Sequence, residues 1–271
     1  MRILALSVFL ALIPYNNAHA EDSAPFKCEV LEDIDRIDFN EPSGIVFHPL
    51  RKTLFAVGDE GDICEIKTDG VLVKTKRLRR ADFEGITCDP STGLLYVAVE
   101  GEDKILEIDP ENLAILREFT VDRIFRGRTV FKKGGDGIEA ITFVPDSSHP
   151  QGGTFYVTNQ SFDVRNHLDP SAVVEIELPL KERSKSYAEI INVFPIGIAS
   201  LSGLYYDQKS NHIYVISSFK GALLEINRKG EILKIYNDLP SLIPEGIAID
   251  DDGFVYIAQD SGGILKIRWD R

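Results

Sequence analysis

The chain has 271 residues, of which 44% are hydrophobic, and carries a formal net charge of −13 at pH 7 from 43 acidic and 30 basic residues. This supply of apolar side chains is enough to build a folded core, which excludes a disordered chain. An acidic protein repels phosphate backbones, so we expect no nucleic-acid partner, whereas divalent cations are natural ligands.

The first 20 residues have the features of an export signal. Arg2 provides a positive start, Ile3 to Ile13 form a short apolar run, and Ala18-His19-Ala20 offers small residues to a signal peptidase. The run is too short to span a bilayer as a helix, although a retained anchor is the alternative. We therefore expect residues 1–20 to be a signal peptide, cleavage after Ala20, and a periplasmic or secreted protein. The mature chain has no apolar segment long enough to be transmembrane.

One strand pattern then occurs five times along the chain, at intervals of roughly 40 to 60 residues. Each copy has an apolar segment with a small second residue, a turn, a β-rich segment, a second turn, and another apolar strand. The first segments are Ser43–Phe47, Glu84–Cys88, Glu139–Phe143, Ser202–Tyr206 and Glu245–Ile249. The second are Leu54–Val57, Leu95–Ala98, Phe155–Thr158, Ile213–Ile216 and Val255–Ala258. The third are Ile63–Ile66, Ile105–Ile108, Val173–Ile176, Leu223–Ile226 and Ile264–Ile267.

This repeat predicts an all-β fold, a β-propeller of about five four-stranded blades, or six if a long linker hides a degenerate blade. A β-sandwich could use as many strands but would not explain the same order in every copy. Residues 21–271 are thus predicted to be a single propeller domain. The β-like segment from Lys27 to Phe39 precedes the first copy, so we expect it to supply the outer strand of the last blade and close the ring. The small residue of each first segment fits an inner strand, where the sheets converge.

Residues at one repeat position should form a ring at one mouth of the central channel. The residue before the small one is, copy by copy, Ser43, Glu84, Glu139, Ser202 and Glu245. Three carboxylates this close cannot all stay ionised unless their pKa values rise or a cation lies among them. Oxygen ligands without His or Cys suit a hard ion, and Ca²⁺ tolerates irregular oxygen cages.

A second set of polar residues follows the middle strand of each copy. Asn159 and Gln259 are candidate neutral ligands, and Asp59, Glu100 and Asp260 are acids that could reach the same mouth. The alternative is that the three glutamates only accept hydrogen bonds from backbone amides in turns between blades.

Several other features have plain structural interpretations beside functional ones. The basic run from Lys74 to Arg80 either lies at the channel mouth and attracts an anion or blocks pairing at an outer strand edge. The segment Asp250–Gly253 resembles the start of a calcium loop, but a β-turn fits it better.

His48, His149 and His212 lie in predicted turns, where we expect solvated side chains. The three cysteines allow one disulfide or buried free thiols.

The Glu-Gly-Ile segments at Glu84 and Glu245, the turn Asp89–Gly93 and the strand Leu95–Ala98 resemble the SdiA-regulated protein family. The resemblance implies a bacterial, exported or tethered propeller of the NHL and gluconolactonase-like group, with a metal ion, Ca²⁺ foremost, in the channel. Members of the wider group hold such an ion with Glu, Asn and Asp. By that pattern Glu84, Glu139 or Glu245 matches the Glu, Asn159 the Asn and Asp260 the Asp.

Two functions are compatible with these residues. The first is a calcium-binding propeller that serves as a binding or scaffold module for a small molecule or protein held at the channel mouth. The second is a metal-dependent hydrolase of lactones, esters or phosphoesters, in which the ion polarises a substrate oxygen and a channel acid acts as the base. Ile follows Glu-Gly here where the enzymes of the group often have Pro, so the sequence favours the binding module.

Overall fold

The computed structural model describes residues 23–34, 41–135, 137–161 and 171–270, so the predicted signal at residues 1–20 lies outside the described part. Regular structure within this part consists of β-strands alone. The strands are β1 (Ser23–Pro25), β2 (Cys28–Ile34), β3 (Pro42–His48), β4 (Thr53–Gly58), β5 (Asp62–Lys67), β6 (Leu72–Arg77), β7 (Phe83–Cys88), β8 (Leu95–Val99), β9 (Lys104–Asp109), β10 (Ala114–Val121), β11 (Ile124–Phe125), β12 (Arg128–Thr129), β13 (Ile138–Pro145), β14 (Gly153–Asn159), β15 (Ala172–Glu177), β16 (Tyr187–Pro195), β17 (Leu201–Asp207), β18 (His212–Ser217), β19 (Ala222–Ile226), β20 (Ile232–Asn237), β21 (Pro244–Ile249), β22 (Phe254–Gln259) and β23 (Ile264–Trp269).

The described strands form five units of four antiparallel strands, which we call blades 1 to 5. Blade 1 contains β3 to β6, blade 2 β7 to β10, blade 3 β13 to β16, and blade 4 β17 to β20, while blade 5 combines β21 to β23 with β2. The first strands β3, β7, β13, β17 and β21 contact one another in that order, and β21 contacts β3. A closed cycle of innermost strands defines a propeller. The predicted fold is confirmed, with five blades in the described residues.

The ring is closed by the N-terminal strand. β2 pairs antiparallel with β23, from Cys28 opposite Trp269 to Ile34 opposite Ile264. Strands from both ends of the chain therefore share blade 5, as expected for the segment from Lys27; residues 35–40 of that segment lie outside the described part. Because each blade edge would otherwise offer unpaired backbone groups, this pairing also protects the outer edge of β23.

Two further pairings join outer strands and were not predicted. β1 adds in parallel to the edge of β20 in blade 4. The end of β10 pairs in parallel with the start of β16, with Thr120 opposite Tyr187, so blades 2 and 3 share one continuous sheet. The small hairpin of β11 and β12 lies between these two blades in the chain and accounts for part of the longer interval before the third copy.

The hydrophobic core lies between neighbouring blades. Each of the five interfaces between blades has its own cluster of buried side chains. Between blades 2 and 3, Tyr96 and Phe155 pack edge to face with ring centroids 4.8 Å apart. Where the chain ends meet, Phe26 stacks on Trp269 at 4.9 Å. A fully buried side chain of this size contributes about 1.5–3 kcal/mol, so these interfaces hold the ring together.

In blades 1 and 4, the approach of the next blade requires glycine as the small residue of the inner strand. A Cβ atom on Gly44 would lie 2.4 Å from the carbonyl oxygen of Glu84, and one on Gly203 would lie 2.2 Å from the carbonyl oxygen of Glu245. No real Cβ atom makes such a contact without a shift of the backbone. The predicted convergence of the inner strands at these positions is confirmed.

The turns after the inner strands are built by aspartates. The Asp250 carboxylate accepts backbone N–H groups of Asp252 at 3.0 Å and Phe254 at 2.9 Å, and Gly253 has φ +87°. Asp89 and Asp207 make similar contacts in blades 2 and 4. An Asp that bonds to the backbone two residues later stabilises such turns. The β-turn interpretation of Asp250–Gly253 is confirmed.

Blade 1 has His48 at this turn position, and the expectation of a solvated histidine is wrong there. His48 is 1% exposed, its Nδ1 accepts the N–H of Arg51 at 3.3 Å, and its Nε2 donates to the carbonyl oxygen of Gly93 at 2.9 Å. Burial lowers the pKa of His48, so a neutral ring fits this pair of bonds. His149 and His212 instead pair with glutamates on neighbouring strands, Glu177 and Glu225.

Cys28, Cys64 and Cys88 all lie in the described residues and none of them forms a disulfide bond; Cys64 and Cys88 are buried. Burial raises the pKa of Cys88 to about 12, which keeps its thiol protonated and unreactive. Among the described residues, no helix has the length and apolar character that crossing a membrane would require.

Candidate metal centre at the channel mouth

Every inner strand has an irregularity at its first residues, and the predicted ring lies inside it. Pairing with the next strand shifts register between Pro42 and Gly44 in blade 1 and between Phe83 and Ile86 in blade 2, and blades 3 to 5 show equivalent shifts. A bulge re-aims the side chain it contains. The five ring residues, Ser43, Glu84, Glu139, Ser202 and Glu245, thus leave the regular alternation of the strand at one end of the propeller.

Two more sets of residues share this mouth. The first follows the second strand of each blade and comprises Asp59, Glu100, Gln160, Ser218 and Asp260. The other lies two residues before the ring and comprises Glu41, Asp82, Gly137, Ser200 and Ile243. Backbone bonds join the two sets within a blade: the N–H of Glu100 donates to the carbonyl oxygen of Asp82 at 3.0 Å, and that of Ser218 to Ser200 at 3.0 Å. The three sets therefore surround one opening.

Asp59, Asp82 and Glu84 form the tightest acidic group at the mouth. One carboxylate oxygen from each lies within 4.8 Å of those of the other two. The Asp59 carboxylate accepts a hydrogen bond from the Ser43 hydroxyl. Asp82 Oδ1 is buried and has no hydrogen-bond partner, a condition that costs free energy unless a cation satisfies the oxygen. An oxygen-only donor set with one orphaned atom fits a hard divalent ion, so this triad could hold a metal.

The electrostatics of the mouth show the cost of gathering these acids. Burial, followed by the charge of Glu139, raises the pKa of Glu84 well above its usual range. Burial and then the Glu100 charge do the same for Glu139, which is 4% exposed. Burial raises the pKa of Glu245 to about 7 and that of Asp59 to about 6, with Asp260 adding to both. Without a cation, the folded protein must hold protons here near neutral pH.

In the structure, four of the five predicted ligands are linked by pairwise electrostatic interactions. Glu84 interacts with Glu139, Glu139 with Glu245, and Glu245 with Asp260, which in turn acts on Asp59. Of the five, only Glu84 belongs to the tight triad. A role of Glu139, Glu245 or Asp260 as a direct ligand stays a prediction.

The fifth predicted ligand, Asn159, is held by the backbone of its own blade and the chain before it. Its Nδ2 donates to the carbonyl oxygen of Val130 at 3.0 Å, and its Oδ1 accepts the N–H of Ala172 at 2.7 Å. The side chain is 2% exposed. These bonds tie β14 to the start of β15, and a ligand role for Asn159 also stays a prediction.

Asp82 is the member of the triad that the sequence did not single out. It precedes the repeat by two residues, at a position occupied by Glu41, Gly137, Ser200 and Ile243 in the other copies. Aligning the copies two residues further upstream would have shown acids in the first two blades. That signal is short, because the remaining three copies have no acid at this position.

A cavity of about 280 Å³ lies at this mouth, lined by residues of blades 3, 4 and 5. Glu139 and Glu245 contribute carboxyl groups to its wall, and Phe219, Leu242 and Ile243 contribute apolar side chains. A larger cavity of about 840 Å³ opens at the opposite mouth, far from the ring residues. Its aspartates Asp207 and Asp250 already accept backbone N–H groups in turns, so the chemistry of the acids points to the smaller cavity.

The basic run before the second copy holds blades together. Lys74 donates to the carbonyl oxygens of Pro110 and Glu111 at 2.6 and 2.7 Å, which reaches from β6 to a turn of blade 2. Arg79 pairs with Glu102 and Glu118, both at 3.0 Å. Lys74 lies on the outer strand β6, and these contacts join blades 1 and 2; blocking of edge pairing and attraction of an anion both stay predictions.

The sequence model of the SdiA-regulated family matches residues 22–262 of the chain. No curated protein sequence matches this chain. Among solved structures, glutaminyl cyclase from Myxococcus xanthus is similar with a TM-score of 0.63 and 14% identity, over 91% of this chain and 99% of that one. A gluconolactonase from Xanthomonas campestris is similar with a TM-score of 0.53 and 14% identity, over 89% and 85%. Likeness at this identity shows a shared propeller fold and nothing about activity.

Proposed function

The chain belongs to the SdiA-regulated family, and we propose that it is an exported propeller that binds Ca²⁺ at its acidic channel mouth and serves as a binding or scaffold module. The observation that carries this proposal is the triad of Asp59, Asp82 and Glu84, in which Asp82 has a buried Oδ1 without a hydrogen-bond partner. A small molecule or protein would be held at the same mouth.

Calcium suits the triad better than magnesium does. Mg²⁺ demands a near-ideal octahedron, whereas Ca²⁺ accepts six to eight oxygens in irregular arrangements. Here the donors come from two blades and from three different repeat positions, so regular geometry is not expected. The bound ion would neutralise carboxylates that otherwise need protons; Asp59, Asp82 and Glu84 would hold it, with Glu139, Glu245 and Asp260 close enough to adjust its charge balance.

Export is proposed from the N-terminal sequence. Arg2, the apolar run and Ala18-His19-Ala20 support cleavage after Ala20. Calcium is abundant outside the cytoplasm, so a weak oxygen site could be occupied there. Mass spectrometry of the purified native protein should give Glu21 as its first residue.

A second candidate function is hydrolysis of lactones, esters or phosphoesters. The observation in its favour is the pKa of about 7 at Glu245, because a general base works best when its pKa is near the working pH. Bound Ca²⁺ would supply Lewis-acid polarisation of a substrate oxygen. A substrate screen with Ca²⁺ separates the two functions. Turnover by the wild type that is lost in Glu245→Gln favours the enzyme. No turnover of any substrate, together with capture of a binding partner, favours the module.

Thermal melting tests the metal proposal. Ca²⁺ should raise the melting temperature of the wild-type protein and EDTA should reverse the shift, because a ligand bound only by the folded state stabilises it. Asp82→Asn removes one charge from the triad at similar volume and should abolish most of the shift. Glu189→Gln removes an exposed acid on β16, outside the mouth, and should keep it. A calcium shift of equal size in Asp82→Asn would contradict the proposed site.

A further inference from the structure

The cavity at the channel mouth has an apolar wall beside its carboxyl groups. Phe219, Leu242 and Ile243 come from the β18–β19 turn and from the segment before β21, and are 78%, 90% and 41% exposed. Phe219 and Leu242 are the two most exposed large apolar side chains in the described chain. Exposed apolar groups gathered beside a polar opening mark a binding surface more often than scattered ones do.

Between these side chains and the acids lies the cavity of about 280 Å³. Its hydroxyl groups already bond to protein: Ser200 and Ser218 to each other at 2.6 Å, and Ser202 to the carbonyl oxygen of Pro244 at 3.0 Å. The carboxyl groups of Glu139 and Glu245 are therefore the acidic groups that a ligand would meet, together with the neutral side chain of Gln160. Glu139 is 4% exposed, so bulk water screens little of the attraction between its carboxyl group and an ammonium group, and this attraction favours the ionised carboxylate.

From this combination we propose that the cavity binds a small organic cation, an ammonium group with one apolar substituent. The ammonium lies at the carboxyl groups of Glu139 and Glu245, and the substituent packs against Phe219 and Leu242. Charge complementarity selects the cation, because the mouth is acidic and the whole protein carries a net charge of −13. The ring of Phe219 adds attraction for the cation through its negative face.

The size of the cavity limits the ligand. At about 280 Å³ it is at the small end of ligand pockets, which suits one aromatic or branched alkyl amine, or the terminal amine of a longer molecule. This site is separate from the triad of Asp59, Asp82 and Glu84, so the inference goes beyond calcium binding and does not require it.

Isothermal titration calorimetry with three isosteric probes tests the charge requirement. Phenethylammonium should bind to the purified, EDTA-treated protein at least about tenfold more tightly than phenethyl alcohol, since a charge-assisted hydrogen bond is worth more than a neutral one. Phenylacetate should not bind. Equal affinity for the ammonium and the alcohol, or no binding of the ammonium, would overturn the proposal.

Matched variants test the location. Phe219→Ala should weaken phenethylammonium binding by about tenfold, because it removes most of the apolar contact. Glu245→Gln should weaken it by a similar factor. Tyr187→Ala and Glu189→Gln, which change exposed residues of β16, should leave the affinity unchanged. An unchanged affinity in both Phe219→Ala and Glu245→Gln would place any binding elsewhere and refute the assignment.

The calcium response of Phe219→Ala separates this proposal from the previous one. If the metal site is real, this variant keeps the full calcium-dependent rise in melting temperature while losing amine affinity. Amine binding without any calcium response would support the cavity and reject the metal site, and the reverse pattern would reject the cavity alone.

Discussion

At the scale of single residues, folding brings several carboxyl groups together at the mouth, although their negative charges repel one another. Burial is the leading cause of the raised pKa values of Glu84, Glu139 and Glu245. A chain that needed only a stable turn could use one such acid per blade with backbone partners. The buried Oδ1 of Asp82 without a partner is harder to explain by stability, and a bound cation removes its cost.

The pKa of Glu245 predicts how stability depends on pH in the absence of metal. Its value rises from an ordinary 4.5 to about 7, so between these pH values the folded protein keeps a proton that the unfolded chain has lost. The free energy of unfolding should therefore fall as the pH rises through this interval, by on the order of 2 to 3 kcal/mol. Urea unfolding in EDTA at pH 5 and pH 8 measures it.

Two comparisons assign that effect to the mouth. Glu245→Gln should reduce the dependence because it removes one of the titrating groups of the mouth, while Glu189→Gln should leave it as in the wild type. Added Ca²⁺ should reduce the loss at pH 8, where the carboxylates are ionised. Stability that rises between pH 5 and pH 8 in EDTA would show that the acids are not gathered as described.

The sequence predicted which residues form the ring, but it did not predict which contacts each site residue makes. Ser43, Glu84, Glu139, Ser202 and Glu245 share a repeat position, which the sequence shows directly. The side-chain bonds of Asn159 to Val130 and Ala172 depend on segments outside the repeat, so no spacing could show them. Asp82 precedes β7 and lies two residues before Glu84, at a position where the other copies have Glu41, Gly137, Ser200 and Ile243, so the repeat does not single it out.

At the scale of strands, the bulged start of each inner strand links packing to function. The small residue lets the backbone of the next blade approach, and the same irregularity turns the preceding side chain towards the mouth. Gly44 and Gly203 meet a neighbouring glutamate's carbonyl oxygen, that of Glu84 and of Glu245 respectively. The packing of one blade thus fixes the backbone that presents the next blade's acid.

Gly203→Ala tests this dependence. Its added Cβ would lie 2.2 Å from the carbonyl oxygen of Glu245, so the strands must separate, and we expect a loss of about 1–3 kcal/mol in the free energy of unfolding. The calcium shift should shrink as well, because Glu245 moves. Gly137→Ala is the matched control: its Cβ would meet its nearest atom at 3.4 Å, so stability should change little. Equal stability of the two variants would refute convergence at this position.

The strand pattern predicted the four-stranded blades but did not predict every strand pairing between neighbouring blades. Alternation and turn residues mark four-stranded units because each strand repeats a recognisable composition. The parallel contacts of β1 with β20 and of β10 with β16 involve two or three residue pairs each. Such short pairings depend on how outer strands lie after the ring closes, and they leave no periodic trace in the sequence.

At the scale of the whole molecule, the ring depends on a strand from the start of the chain. β2 fills the outer position of blade 5, and Ile34 at its end is 4% exposed and packs with residues of blades 5 and 1. The sequence predicted this closure because the β-like segment from Lys27 to Phe39 precedes the first copy of the repeat. Without closure, the inner strands would not hold one opening, and the site would lose its shape.

Ile34→Ala tests the closure. Deleting buried methyl groups here should lower the free energy of unfolding by about 2–5 kcal/mol. Val30→Ala changes a residue of the same strand that is 47% exposed, and should stay within about 0.5 kcal/mol of the wild type. Chemical denaturation measures both, and a harmless Ile34→Ala would show that β2 is dispensable.

A crystal structure of the purified protein grown with Ca²⁺ tests the central claim most directly. We predict one ion at the channel mouth, bound by carboxylate oxygens of Asp59, Asp82 and Glu84 at 2.3–2.6 Å, the distance range of calcium ligands. If the mouth stays free of metal at saturating Ca²⁺, or the ion binds elsewhere while Asp82 Oδ1 accepts a protein hydrogen bond, the metal site does not exist.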